Sequence, residues 1–306
     1  MIITLEKEAN ITKHGFFCKL SQNTEEIIIQ NAFQSDNARG WADYAPFASS
    51  DGKNWIRLNP GKYTGKEFIF KVQPETKYVC WFPPYNLSKI NDFMKRFSSI
   101  NENVFAVGNP TNKKIVLLAG QHPGETMGLF FIEGAINAIN NCPNILNDFS
   151  FVIFPTINRK GIENQNHRLT PDGIDLNRQW NKNHPILEQI KTDINKLDNI
   201  YAIIDIHGDE VSKKDYVIYN SNLKNSIIEN SLKKNNFILI KKQNYLKKLI
   251  KNLIRNRKFI LPQGDTARDF FEKKGKIAIT IELSAHSNTP QSCIEKGYSF
   301  IKQFQR

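Results

Sequence analysis

The sequence predicts an α/β domain over residues 106–306, preceded by a small all-β sandwich over residues 1–105. Two observations predict this. Before residue 105 the apolar runs are short and split by Gly, Pro and Asn turns, as in a small sandwich. Beyond it, apolar runs that read as buried strands alternate with a helical stretch and turn-rich loops.

In the first region residues 1–5, 25–29, 67–72 and 77–82 read as strands. A helix is expected from residue 88 to about Ile100, because Ile90, Phe93, Met94 and Phe97 fall on one face. Gly108, Asn109 and Pro110 then break the chain and open the second region. There residues 115–120 read as a buried strand, 121–125 as the turn leaving it, and 126–139 as the following helix. Residues 201–206 form a second apolar strand, expected to deliver His207 into a loop with Gly208, Asp209 and Glu210. Residues 276–283 form a third strand, which carries Glu282. No internal repeat is visible.

The ends of these strands carry the chemistry. His122 and Glu125 lie where the first strand ends, the edge at which open α/β sheets place their ligands. His207 lies at the end of the second. Two histidines and a glutamate suit a borderline ion such as zinc, and three protein ligands leave one position for water, the arrangement of a catalytic site. The string His-x-x-Glu by itself arises often by chance, and a surface glutamate on a capped turn is its ordinary explanation.

Residues 164–180 raise the odds, because they are rich in turn formers and carry two arginines without helical spacing, as in a binding loop. Asn177 beside Arg178 suits a carboxylate, since the planar guanidinium offers two parallel bonds and the amide a third. Arg168 suits an oxygen that becomes negative in a tetrahedral intermediate. Alternatively, both arginines pair with Asp172, Asp175 or Asp209. Glu282, half surrounded by apolar strand residues, is expensive to bury unless it is used, and burial against a nearby cation would poise it as a base. Its ordinary alternative is an exposed strand-end glutamate paired with Lys276.

Four strings resemble the zinc carboxypeptidases of the funnelin type, most of all their cytosolic carboxypeptidase branch and its bacterial members. They are His-Pro-Gly-Glu at 122–125, Asp-Leu-Asn-Arg at 175–178, Asp-Ile-His-Gly at 205–208 and Thr-Ile-Glu-Leu at 280–283, in the family's order. The resemblance implies a mixed-sheet carboxypeptidase domain behind the β-sandwich, with one zinc ion per chain held by His122, Glu125 and His207. It implies Arg168 as the carbonyl-polarising group, Asn177 and Arg178 as the clamp on a terminal carboxylate, Glu282 as general base, and Asp175 as the acceptor that fixes the His122 ring. Thr266-Ala267-Arg268 also resembles the branch and makes Arg268 a candidate for holding an acidic side chain. The implied activity is hydrolysis of the C-terminal peptide or isopeptide bond of a peptide or protein tail, with glutamate favoured. One departure is plain: no tyrosine lies between Tyr245 and Glu282 to serve as the substrate-covering tyrosine of many members.

Composition sets the rest. At 306 residues and 40% hydrophobic content the chain can bury two cores. Cys18, Cys80, Cys142 and Cys293 have no paired spacing, so neither a disulfide frame nor a cysteine zinc site is expected. Glu6, Lys7 and Glu8 stand where a signal peptide would have its apolar run, and no run of about 18 apolar residues could span a bilayer, so a cytoplasmic location and no membrane partner are expected. A net charge of +12 admits nucleic acid, an anionic membrane or an acidic polypeptide. The densest basic stretch, 241–258, spaces Leu246, Leu249, Ile250, Leu253 and Ile254 as an amphipathic helix with its lysines in water, which disfavours nucleic acid. Two other functions remain open: a zinc amidohydrolase acting on small N-acyl amino acids, and a non-catalytic protein that binds carboxylates or nucleic acid.

Overall fold

A computed structural model describes residues 1–8, 15–101, 103–219, 223–243, 265–274 and 276–305. The β-rich first region holds two four-stranded sheets. One runs β1 (Ile2–Ile3), β3 (Glu26–Ile29), β7 (Phe68–Lys71) and β6 (Lys62–Tyr63); the other runs β2 (Phe17–Lys19), β8 (Tyr78–Cys80), β4 (Phe47–Ser49) and β5 (Ile56–Arg57). Alternation decides what each strand buries: Ile27, Ile29, Phe68 and Phe70 point inward, with Trp41 packed on Phe68 at 4.9 Å. Each such side chain contributes roughly 1.5–3 kcal/mol by leaving water.

The second region is built on one mixed sheet of eight strands, two of which come from residues 98–107, so this sheet begins ahead of the expected boundary at 105/106. Its order is β15 (Ile238–Lys241), β14 (Tyr216–Tyr219), β16 (Ile277–Ser284), β13 (Ile200–Asp209), β11 (Lys113–Ala119), β12 (Phe149–Phe154), β10 (Val104–Val107) and β9 (Ser98–Asn101). The central strands β12, β11, β13 and β16 are parallel, and β14 and β10 join them antiparallel. A parallel core must be covered on both faces, which is why β11 is apolar without alternation. Ile115, Leu117 and Ala119 pack in the cluster of the helices Met127–Asn141 and Pro290–Lys302, while Val116 and Leu118 pack in that of the helices Pro185–Asn195 and Ala267–Lys273. The first pair of helices lies very close: a Cβ on Gly134 would overlap the Ile294 carbonyl oxygen, and one on Gly297 that of Phe131. Glycine at both crossings is what permits it.

The two regions share one apolar cluster, in which Tyr85 and Phe82 meet Phe130 at 4.9 and 6.4 Å. Arg57 reaches across to donate to the Ala285 carbonyl at 2.8 Å.

Two expectations change. The helix expected to reach about Ile100 is Leu87–Arg96 and is followed by β9, because strand pairing with β10 claims the chain from Ser98 onward. His207 lies within β13 and not in a loop, since β13 stays paired with β16 as far as Asp209 opposite Ser284. Of the basic stretch 241–258, Lys241 ends β15, while Tyr245 and the apolar positions Leu246, Leu249, Ile250, Leu253 and Ile254 of the expected amphipathic helix lie outside the described residues. No helix among the described residues is long and apolar enough to cross a membrane.

Candidate active site

Three parallel strands deliver the site. Gly120 ends β11 with φ at +69°, a conformation that suits glycine, and turns the chain into Gln121 and His122. The adjacent β13 carries His207, and β16 carries Glu282 in register with it. His122, Glu125 and His207 come together, with one ligand atom from each within 4.8 Å of the others. Glu125 sits between the rings: its Oε1 is 2.7 Å from His122 Nδ1 and its Oε2 is 2.8 Å from His207 Nδ1, and it also accepts the Gly208 N–H at 3.0 Å.

The far nitrogens of both rings face carboxylates. His122 Nε2 lies 3.1 Å from Asp175 Oδ1, and His207 Nε2 lies 3.0 Å from Asp205 Oδ2. An ionised carboxylate only accepts, so both Nε2 atoms carry protons and donate, which leaves both Nδ1 atoms as the electron-pair donors when a cation is present. Two imidazole nitrogens and one carboxylate oxygen converging at this range are a donor set that fits zinc.

The charges are strongly coupled. Burial would push the Glu125 carboxyl up, but His122 and His207 outweigh it and hold it well below the usual carboxylate range. Burial likewise opposes ionisation of Asp175, and His122 with Arg168 and Arg178 hold it far below that range. Burial would lower His207, but Asp205 and Glu125 raise it well above an ordinary histidine. Glu282 goes the other way. Burial raises its carboxyl well above the usual range, His207 opposes, and the carboxylates of Glu125, Asp209 and Asp205 add to the rise.

The remaining sequence candidates are placed as follows. Arg168 binds Asp175 Oδ2 through Nε at 2.9 Å and Nη2 at 2.7 Å, so the expected alternative of an arginine–aspartate pair is present, and a guanidinium retains further donors. Asp175 also caps the short turn Leu176–Arg178 by accepting the Asn177 N–H at 3.0 Å. Asn177 is buried, its Oδ1 accepting the Ala267 N–H at 3.3 Å and its Nδ2 lying 3.2 Å from His207 Nε2. Arg178 is partly exposed and donates to the Asn177 carbonyl at 2.8 Å. Arg268 is buried: Nε and Nη2 reach Asp269 Oδ1, and Nη1 reaches Thr280 Oγ1 at 3.3 Å, on the same face of β16 as Glu282.

Sequence reasoning missed two residues that hold His207. Asp205 stands two positions before it and therefore on the same strand face, a signal that alternation could have supplied. Gln121 donates to Asp205 Oδ1 at 2.7 Å while its own Oε1 accepts the Trp180 indole N–H at 2.8 Å, so both ends of the amide are fixed. A cleft of about 370 Å³ is lined by Phe16, Trp81, Phe82 and His167 among others, and by Pro123 and Gly124 of the turn that follows His122.

Fold and site together define an α/β protein with a histidine–glutamate–histidine centre at the C-terminal edge of a mixed sheet, behind a β-sandwich. Residues 6–83 match the cytosolic carboxypeptidase N-terminal domain and residues 95–202 match zinc carboxypeptidase. The chain is similar to an uncharacterized protein of Zymomonas mobilis, 24% identical over 210 residues that are 60% of this chain and 55% of that one. It is also similar to cytosolic carboxypeptidase 1 of Danio rerio, 31% identical over 130 residues that are 39% of this chain and 11% of that one. The matches thus span about half the length of the first relative and about a tenth of the second. A metallo-carboxypeptidase from Burkholderia cenocepacia has the same fold, with a TM-score of 0.84 at 18% identity over 99% of this chain and 91% of that one.

Proposed function

We propose that this chain is a zinc metallocarboxypeptidase that removes a C-terminal residue from a peptide or protein tail, with acidic residues favoured. The observation that carries the reading is the convergence of His122 Nδ1, His207 Nδ1 and the Glu125 carboxylate, with Glu282 in register beside His207.

His122, Glu125 and His207 would hold the metal, which when bound would supply a Lewis acid for the scissile carbonyl and acidify water. Glu282 takes a proton from the attacking water as its oxygen bonds to the carbonyl carbon, and hands that proton to the amine as the C–N bond breaks. Burial favours the proton on Glu282, and the charge of a bound metal would oppose it, which would let the carboxyl take up a proton and return it. Arg168 faces the developing oxyanion, oriented by Asp175. Arg178, with Asn177, holds the terminal carboxylate and so restricts turnover to free ends. Arg268 is the residue proposed to favour an acidic side chain, being a buried cation that donates to Thr280 on the β16 face that carries Glu282.

Zinc-loaded protein should release the final residue from peptides ending in glutamate, and a chelator should stop it. Cleavage of small N-acyl amino acids in place of peptides would favour the amidohydrolase reading, and full zinc content without turnover on either would favour a binding protein.

A further inference from the structure

We propose that Glu8, in the β-rich region, is a positioning residue for Arg168, so that the first region completes the active site of the second. The proposal rests on the carboxypeptidase reading above. The Glu8 carboxylate accepts the backbone N–H groups of three consecutive residues: His167 at 3.2 Å, Arg168 at 2.9 Å, and Leu169 in the shortest contact. Successive N–H groups aimed at one anion form a concave nest, and the bonds are charge-assisted. The anchor stands about 160 positions earlier in the chain, so only the docking of the two regions brings it there.

The same segment is tied on two more sides. The His167 carbonyl accepts the Gly124 N–H at 2.7 Å, which joins it to the turn between His122 and Glu125. A side chain on Gly124 would overlap the His167 ring. That ring meets Glu210, three residues beyond His207, and Glu210 Oε2 accepts the amide of Asn37 from the β-rich region at 2.6 Å. The backbone of Arg168 is thereby fixed by Glu8 and its guanidinium by Asp175. An oxyanion donor must stand within a fraction of an ångström of its target, and a displacement near 1 Å costs about a hundredfold in rate.

The test uses the full chain loaded with zinc and a peptide ending in glutamate. In Glu8→Ala, kcat should fall about a hundredfold while KM and zinc content hold. Glu8→Gln, which keeps one acceptor oxygen, should recover part of that loss. In an Arg168→Ala background the Glu8→Ala change should add less than about twofold, because the group it positions is gone. Hydrogen exchange at the amides of residues 167–169 should speed up in Glu8→Ala. An unchanged kcat, or losses that multiply in the double variant, would overturn the proposal. Should Glu8→Ala fail to fold, Glu8→Gln decides, and a parent-like kcat with parent-like exchange overturns it. Indifference to Glu8 in an active parent removes this role alone; a zinc-loaded parent that cleaves no peptide removes the carboxypeptidase reading, and the role with it.

Discussion

Asp205 and His207, two residues apart on one face of β13, are joined by a 3.0 Å hydrogen bond between Oδ2 and Nε2, and Asp205 is 1% exposed. This bond fixes the ring so that Nδ1 faces Glu125. Asp205→Asn should therefore weaken zinc binding by about 10–100-fold, the usual cost of removing a group that orients a metal-bound histidine. Competition with a metal-sensitive dye measures it, and an unchanged affinity would show that Gln121 and packing suffice to orient the ring.

Glu282→Gln keeps the shape of the side chain and removes its capacity to take a proton. Zinc content should stay at one per chain, and hydrolysis should fall by at least about a hundredfold. Turnover at the parent rate would sink the assignment of Glu282 as base.

Protons and metal compete for the same nitrogen. His207 is raised by Asp205 and Glu125 against the effect of burial, so without metal it keeps its second proton to a higher pH than an ordinary histidine. Zinc must displace that proton, so apparent affinity should rise with pH, by roughly tenfold for each unit below the His207 value. Titrations at several pH values test this, and a flat profile would mean that His207 is not a ligand.

Arg268 and Asp269 form a buried ion pair, with Lys242 also on Asp269 at 2.7 Å. Burial opposes the charge on Asp269, but Arg268 and Lys242 outweigh it and lower its carboxyl. The folded value thus lies below the unfolded one, so the pair's stabilisation is present above the ordinary carboxylate range near 4 and is lost as pH falls through the folded value. Asp269→Ala should cost about 3 kcal/mol at neutral pH, because it strands a buried guanidinium, and the deficit relative to the parent should shrink in acid. Denaturant melts at neutral and acid pH decide it.

Selectivity supplies a separate check on Arg268. Arg268→Ala should reduce kcat/KM for peptides ending in glutamate by about tenfold or more, and change peptides ending in alanine much less. Equal losses on both would assign the residue to holding Asp269 and Thr280 alone.

Part of the fold is legible in the sequence. The apolar run of β11 announces a strand covered on both faces, and Gly120 marks its end. The four strings around His122, Asp175, His207 and Glu282 carry the resemblance to zinc carboxypeptidases, and the fold brings His122, Glu125 and His207 together with Asp175 on the His122 ring and Glu282 opposite His207. The helix end at Arg96 and the placement of His207 inside β13 were not legible, since partners far along the chain decide how long a strand stays paired.

What the sequence by itself determined is the set of local choices: which runs become strands, where they turn, and which residue types stand at their ends. These follow from side-chain periodicity and backbone conformation, which act over a few residues. Only the tertiary structure decided that both Nδ1 atoms face one carboxylate, that Asp205 and Asp175 hold the opposite ring nitrogens, and that Glu8 reaches the backbone of Arg168. Hydrogen bonds and ion pairs depend on distance and direction between groups remote in sequence, and those are set when the sheet closes and the two regions dock.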